Sequence, residues 1–442
     1  MIELLLKYFY FIGHELASDS LDLFSMPPIE KGLIHGKTVT CHLNSTLTDR
    51  GPFEFIIPSD NNDYTQMNDT RLEGEIEVVK TDGTALTKDE KTSVCNIFPH
   101  SIFSQIELYC NDNLICDLST PTYGYKAWIE KHLSFERELK ENVLRDCEMY
   151  YKETASSENT FDFPAAGKPE TAFSLKATRI IGKKIYFSIN LHLDFLHSKR
   201  LLLPGCTLKF KFVRSDDTFS LISDTLKAKI KVNDLKMSVR RITIDPGISA
   251  AIENRLEKEP AVYPVVQSKI KTVLINSGIQ TINISQIIRG PLPRSIIIGF
   301  VSSKASDGHI NQNPYCFKNF DLNYFNPYLN GEPIITTPFR PDYSKGDCVR
   351  EYQWFLANTG CKESYSNDIS LEDFKANSCF YSLDLTADLC NNFYLHPTES
   401  GTFDMHIGFK ANLTENLTCI IYSSYNEFIL IDKNRNVTVV PA

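Results

Sequence analysis

The side chains in this sequence that could do chemistry are few, and most are badly spaced for it. Gly32-Leu-Ile-His-Gly36-Lys37-Thr38 approaches a phosphate loop, in which backbone N–H groups cradle phosphates ahead of a helix. It is one residue short, with Lys31 where the first glycine belongs, and it runs into an alternating Thr/Val strand. That mismatch argues against nucleotide binding. His14-Glu15 lacks the second histidine of a zinc-protease helix. His192 and His197 are five apart, a spacing that sends strand side chains to opposite faces, so His192 reads as a solvent histidine on a polar face. The neighbouring pairs Asp216-Asp217 and Glu372-Asp373 point apart and make poor acid/base dyads. Gly-x-Ser-x-Gly, Cys/His nucleophile and dinucleotide glycine motifs are absent. The expectation is a protein that is not an enzyme, with no catalytic residue, no cofactor and no metal site.

The cysteines fit that reading. There are twelve, scattered, with no Cys-x-x-Cys, and most lie in apolar strand-like contexts. Free buried thiols of a reducing compartment are expected. Six Asn-x-Ser/Thr sequons, at Asn44, Asn68, Asn283, Asn412, Asn416 and Asn436, are a chance yield of an Asn- and Thr-rich chain. The apolar start, MIELLLKYFYFI, is interrupted by Glu3 and Lys7 and reads as an amphipathic arm rather than a signal peptide.

Period-2 alternation organises the rest of the 442 residues. Ile185, Phe187, Ile189, Leu191 and Leu193 alternate with polar neighbours. So do Leu208, Phe210 and Phe212, and later Phe403, Met405, Ile407 and Phe409. Alternate strand side chains face opposite ways, so each such segment buries one face. Segments 71–79, 103–110, 264–275, 295–302 and 419–431 also read as strands. Helical pattern is confined to about 122–151 and to a short helix opened by Asp245-Pro246, with Ile252 and Leu256 on its apolar face. The expected organisation is an N-terminal arm (1–34), a first β-sandwich (35–243), a helical linker (244–262) and a second β-sandwich (263–442). No internal repeat is visible in the letters.

Charge is uneven although the total is only −9. Residues 1–150 carry −12, 151–300 carry +10, and 301–442 carry −7. Within the basic third, Lys227, Lys229 and Lys231 alternate with Ala228, Ile230 and Val232. Such a row is ordinarily the solvated face of a sheet. A surface facing nucleic acid or an acidic partner is the sharper alternative. Upstream, Leu21, Leu23 and Phe24 form an apolar triplet before Pro27-Pro28, suited to an assembly arm.

Several segments, in order, resemble the major capsid proteins of Maverick/Polinton elements and adintoviruses. They are Ser20-Leu-Asp-Leu-Phe-Ser-Met-Pro-Pro28, Leu47-Thr-Asp-Arg-Gly-Pro-Phe-Glu-Phe-Ile-Ile-Pro58, Phe98-Pro-His-Ser-Ile-Phe-Ser-Gln-Ile-Glu-Leu-Tyr109 and Tyr123-Gly-Tyr-Lys-Ala-Trp-Ile-Glu130. The second half adds Leu292-Pro-Arg-Ser-Ile-Ile-Ile-Gly-Phe-Val301, Asn367-Asp-Ile-Ser370, Leu383-Asp-Leu-Thr-Ala-Asp-Leu-Cys390 and Ile431-Asp-Lys-Asn-Arg-Asn-Val437. The resemblance runs from about residue 20 to about 438 and leaves out the first 19 residues.

That resemblance implies an all-β double jelly roll, two antiparallel eight-stranded sandwiches side by side with a few short helices inserted. It implies a homotrimeric, pseudo-hexagonal capsomer of an icosahedral shell around double-stranded DNA, made in host cytoplasm and assembled there or in the nucleus. The implied partners are a penton-type single jelly-roll protein, an element-encoded protease and a packaging ATPase. Segments 110–175 and 311–345 would be intersubunit loops. The competing readings are a lectin-like sandwich and a β-sandwich hydrolase. The first would need exposed aromatic platforms, yet the only tryptophans, Trp128 and Trp354, lie in helical context.

Overall fold

The computed structural model describes residues 30–48, 50–117, 122–153, 163–164, 168–224, 227–361, 367–387 and 396–441. The first roll has two four-stranded antiparallel sheets. One is ordered β1 (Leu33–His42), β10 (Ala228–Ile244), β3 (Tyr64–Lys80), β7 (Lys184–Asn190). The other is β2 (Phe53–Ile57), β8 (Leu208–Arg214), β5 (Phe103–Cys110), β6 (Asn113–Asp117). A small ladder joins β4 (Thr92–Val94) to β9 (Leu221–Ser223). The second roll repeats the scheme. One sheet is β11 (Ala261–Ile275), β18 (Leu417–Ile431), β13 (Ser295–Ser302), β16 (Phe380–Asp384), with β19 (Val437–Pro441) also on β18. The facing sheet is β12 (Thr281–Pro291), β17 (Ser400–Phe409), β14 (Leu322–Leu329), β15 (Glu332–Pro333).

Setting aside β4, β9 and β19, each roll has eight strands, and the two share one order. The first strand pairs with the last, then come the third and the sixth; opposite them lie the second, seventh, fourth and fifth. This is the jelly-roll arrangement, and the chain is a double jelly roll. The repetition that the letters hide is plain in the topology.

Alternation builds both cores. Phe53, Phe55 and Ile57 of β2 face Phe210 and Phe212 of β8, with Phe55 edge-on to Phe212 at 5.7 Å. In the second roll Phe403, Met405, Ile407 and Phe409 are buried while Asp404 and His406 are half-exposed. Tight spots recur on the third strand of each roll. A Cβ on Gly74 (β3) would lie 2.8 Å from the Asp234 carbonyl oxygen, and one on Gly299 (β13) would lie 2.5 Å from the Phe317 ring.

The longer helices are α1 (Tyr123–Ser134), α2 (Ala172–Ile180), α3 (Pro246–Leu256), α4 (Val349–Asn358) and α5 (Leu371–Ala376). In α3, Asp245 caps the N–H groups of Gly247 and Ile248, and Leu256 is buried. Arg435, beyond β18, bonds Glu253 of α3 at 2.6 Å and the Pro204 carbonyl at 2.8 Å. That ties the inter-roll helix to both halves. In each roll the major helices sit between the fifth and sixth strands: α1 and α2 between β6 and β7, α4 and α5 between β15 and β16.

Several expectations need correction. The segments 110–175 and 311–345 are not simply loops: the first holds β6 and α1, the second β14 and β15. The strand expected over 184–193 stops at Asn190, and Leu191 and Leu193 are buried beyond its end. The Gly32–Thr38 stretch, by contrast, runs into a strand as expected: it feeds edge strand β1.

Candidate functional site

The two helical insertions meet at the junction of the rolls, and the first brings an unusual load of buried charge to it. Lys126 is fully buried in α1, where i and i+4 share a face, so it lies beside Glu130. Its ammonium donates to Asp194 at 2.6 Å and lies 3.7 Å from Glu130. Burial works against that charge, but Asp194 and Glu130 outweigh it and hold Lys126 protonated. The second roll completes the cluster. Ser268 of β11 donates its N–H to Asp194 at 2.8 Å, and the Tyr422 hydroxyl of β18 donates to Glu130 at 3.0 Å. Tyr422 and Ser268 are themselves bonded at 2.6 Å.

Histidines line the same pocket of polarity. His192 Nδ1 contacts Glu130 Oε2, and the His192 ring lies 5.1 Å from that of His100 and 6.2 Å from that of His197. The expectation for His192 fails here. It is buried, not solvent-facing, and it is not on opposite sides of a strand from His197. The strand has already ended, and the turn Asp194–His197 folds the second ring back towards the first. The partner Glu130 lies on a distant helix, so no local spacing could have announced it. Burial would push the Glu130 carboxyl up, but Lys126 and His192 bring it down to about 2.

Deeper in, Lys131 pairs with Glu148, which also faces His100 Nε2 at 3.4 Å. Burial would raise the Glu148 carboxyl; His100 and Lys131 overcome it and bring it to about 2. His100 itself is driven down to about 3, by burial first and then by Lys131. Further along, Lys140 donates to the carbonyls of His132 (2.7 Å) and Asn367, and His132 bonds Tyr150 at 3.1 Å and Ser378 at 3.0 Å. Lys152 reaches Asp373 at 3.0 Å. These contacts join the two insertions. They hold the two insertions in place against each other.

The remaining sequence candidates fall elsewhere. Asp217 is taken up by Arg214 and the Ile230 N–H, while Asp373 closes the capping box of α5 with Ser370. Neither acidic pair forms a dyad. Lys227 and Lys231 are exposed and Lys229 half-exposed, alternating with buried Ala228, Ile230 and Val232. Their neighbour β3 answers them with acids: Lys231 lies opposite Glu77, and Lys236 further along is 3.5 Å from Glu73. Leu21, Leu23 and Phe24 lie outside the described residues. Ten of the eleven described cysteines are buried free thiols; Cys147 is exposed. Trp128 is buried, stacked 4.6 Å from His132, and Trp354 is part-exposed on α4, so no aromatic platform of a lectin is formed by them.

β1 and β11, the first strands of their rolls, both lie at sheet edges and both expose apolar side chains. These are Leu33, Ile34 and Val39 on one, and Val262, Val266 and Leu274 on the other. Unpaired edges with apolar decoration invite pairing with another chain.

No family model matches the sequence. It is 21% identical over 432 residues to an uncharacterized protein of Caenorhabditis elegans, covering 94% of this chain and 99% of that one. In structure it is similar to a chain of the Sputnik virophage seen by cryo-EM, with TM-score 0.63, 10% identity, and 97% and 93% of the two chains covered. It is also similar to the Faustovirus major capsid protein, with TM-score 0.58, 8% identity, and 95% and 93% covered. These likenesses concern the fold, which is the double jelly roll of such capsid proteins.

Proposed function

We propose that this chain is a structural, non-enzymatic major capsid protein that self-assembles into the shell of a virus-like particle. The observation that carries this reading is the repeated jelly roll, matched over nearly the full length of the Faustovirus capsid protein. A sandwich seals its strand edges except at the outer strands, and these are where apolar β1 and β11 side chains stand exposed. Three copies in a closed ring would cover such edges through heterologous contacts. The ordered segments that resemble Maverick/Polinton and adintovirus capsid proteins favour that lineage, with a penton-type protein, a protease, a packaging ATPase and packaged double-stranded DNA as partners in the host cell. Co-expression with a penton-type protein followed by electron microscopy tests the reading. Closed shells are the expected product; dispersed monomers under every condition would contradict it.

Two finer parts of the reading have their own tests. The arm carrying Leu21, Leu23 and Phe24 docks on a neighbouring subunit, so deleting residues 1–28 leaves a folded chain that assembles poorly. Normal shells from the truncated chain would remove the arm from the account. The row Lys227, Lys229 and Lys231 faces packaged nucleic acid. Reversing all three to Glu then lowers nucleic-acid retention by purified particles, and unchanged retention would leave the row as a solvated sheet face.

A further inference from the structure

We propose that Glu130, His192 and His197 form a binding site for a divalent transition-metal ion, zinc by ligand type, at the seam between the two rolls. One ligand atom from each residue lies within 4.8 Å of the other two. Two imidazoles and one carboxylate are a zinc donor set, and bonds of about 2.0–2.2 Å in tetrahedral array place ligand atoms roughly 3.4 Å apart. Small side-chain rotations reach that size by closing the wider edges and opening the Glu130–His192 contact to admit the ion. His192 Nδ1 and Glu130 Oε2 are already in contact.

The surroundings favour a cation. Glu130 turns Oε2 towards the histidines, while Tyr422 donates to its other oxygen at 3.0 Å. That is the outer-shell support that orients a metal-binding carboxylate. Lys126 is the opposing charge, 3.7 Å from Glu130 Oε1. It is engaged at 2.6 Å by Asp194, which leaves the Glu130 charge for a second cation. His192 is buried and His197 exposed, so the triangle opens to solvent on one side. A water can take the fourth position there, and an ion can enter without unfolding the junction. A bound ion would tie α1 to the Asp194–His197 turn, directly against β11 and β18.

The test uses the full chain, stripped with EDTA and titrated with cobalt(II) chloride and then zinc chloride. About one cobalt ion per chain is expected, with visible d–d bands of tetrahedral nitrogen and oxygen ligation and no thiolate charge-transfer band. Zinc should displace it and raise the thermal midpoint, and EDTA should reverse both. His197→Ala removes an exposed side chain, so the fold persists by circular dichroism. It should weaken cobalt binding at least ~10-fold, the loss that even outer-shell changes cause. His192→Ala should do the same. No uptake by the native chain, a thiolate spectrum, or uptake unchanged in His197→Ala would each overturn the proposal.

Discussion

Both rolls place their helices between the fifth and sixth strands, and the two insertions press against each other, yet they are filled differently. The first buries Lys126, Lys131, Lys140 and Lys176 together with Glu148 and His132, against His100 from the turn ahead of β5. The second is aromatic: the Phe355 ring lies tilted 5.6 Å from Phe374 and stacked 6.2 Å from Phe380, and Phe380 lies 4.5 Å from Phe317. One topology thus admits two ways of closing the same gap. Apolar packing gives stability and tolerates shifts. Buried ion pairs add little net stability, because desolvation offsets their attraction, but a broken pair is costly. The polar insertion therefore makes the seam between the rolls costly to break rather than strongly stabilising.

The largest effect that would sharpen this contrast is on stability. Glu148→Ala leaves Lys131 buried without its partner, and it should cost about 3–5 kcal/mol in chemical denaturation. Glu351 is the buried carboxyl of α4, held above its usual range by burial. Glu351→Gln replaces it with a neutral group and should cost under ~1 kcal/mol. Equal losses would break the contrast between charged and apolar junctions.

The next effect compares equivalent strands. Gly74→Ala and Gly299→Ala each force a methyl into filled space and should cost about 1–3 kcal/mol. Gly74→Ala should cost the more, because its obstacle includes the Asp234 backbone carbonyl, whereas Gly299 meets the Phe317 and Phe380 rings. Thermal midpoints of the two variants order them.

The smallest effect is a difference in acid response. Glu130 and Glu148 have native values near 2, below their usual 4.5, so they stabilise the fold above pH ~4.5. That contribution drains away as pH falls towards 2. His100, near 3 instead of 6.5, acts in the same direction: the unfolded chain takes up its proton first, so stability falls from pH ~6.5 downward. The chain's two tryptophans report on one insertion each. In Trp354→Phe, the emission of Trp128 should shift to the red on acidification earlier than that of Trp354, read as the difference from the unaltered chain. Simultaneous shifts would mean that acid does not single out the first junction.

Much of this architecture was legible in the letters. Alternation at Leu208, Phe210 and Phe212 and at Phe403 to Phe409 marks real strands, because one face of each is buried. Asp245-Pro246 marks a real helix start. The junction was not legible. A buried lysine has the same letter as a solvated one, and the hydrogen-bond partner of Lys126, Asp194, is 68 residues away. The His192–His197 spacing misled because period-2 reasoning holds only while the strand lasts, and β7 ends two residues before His192. The repeat of the roll escaped the sequence because the same strand order is met by different apolar side chains in each half.

Whether the chain is the proposed assembly unit shows first in its mass in solution. Light scattering on the purified chain should give three times the 50.3 kDa chain mass, with pseudo-hexagonal particles in negative stain of the same fraction. A stable mass of one chain, unchanged on adding a penton-type partner, would contradict it.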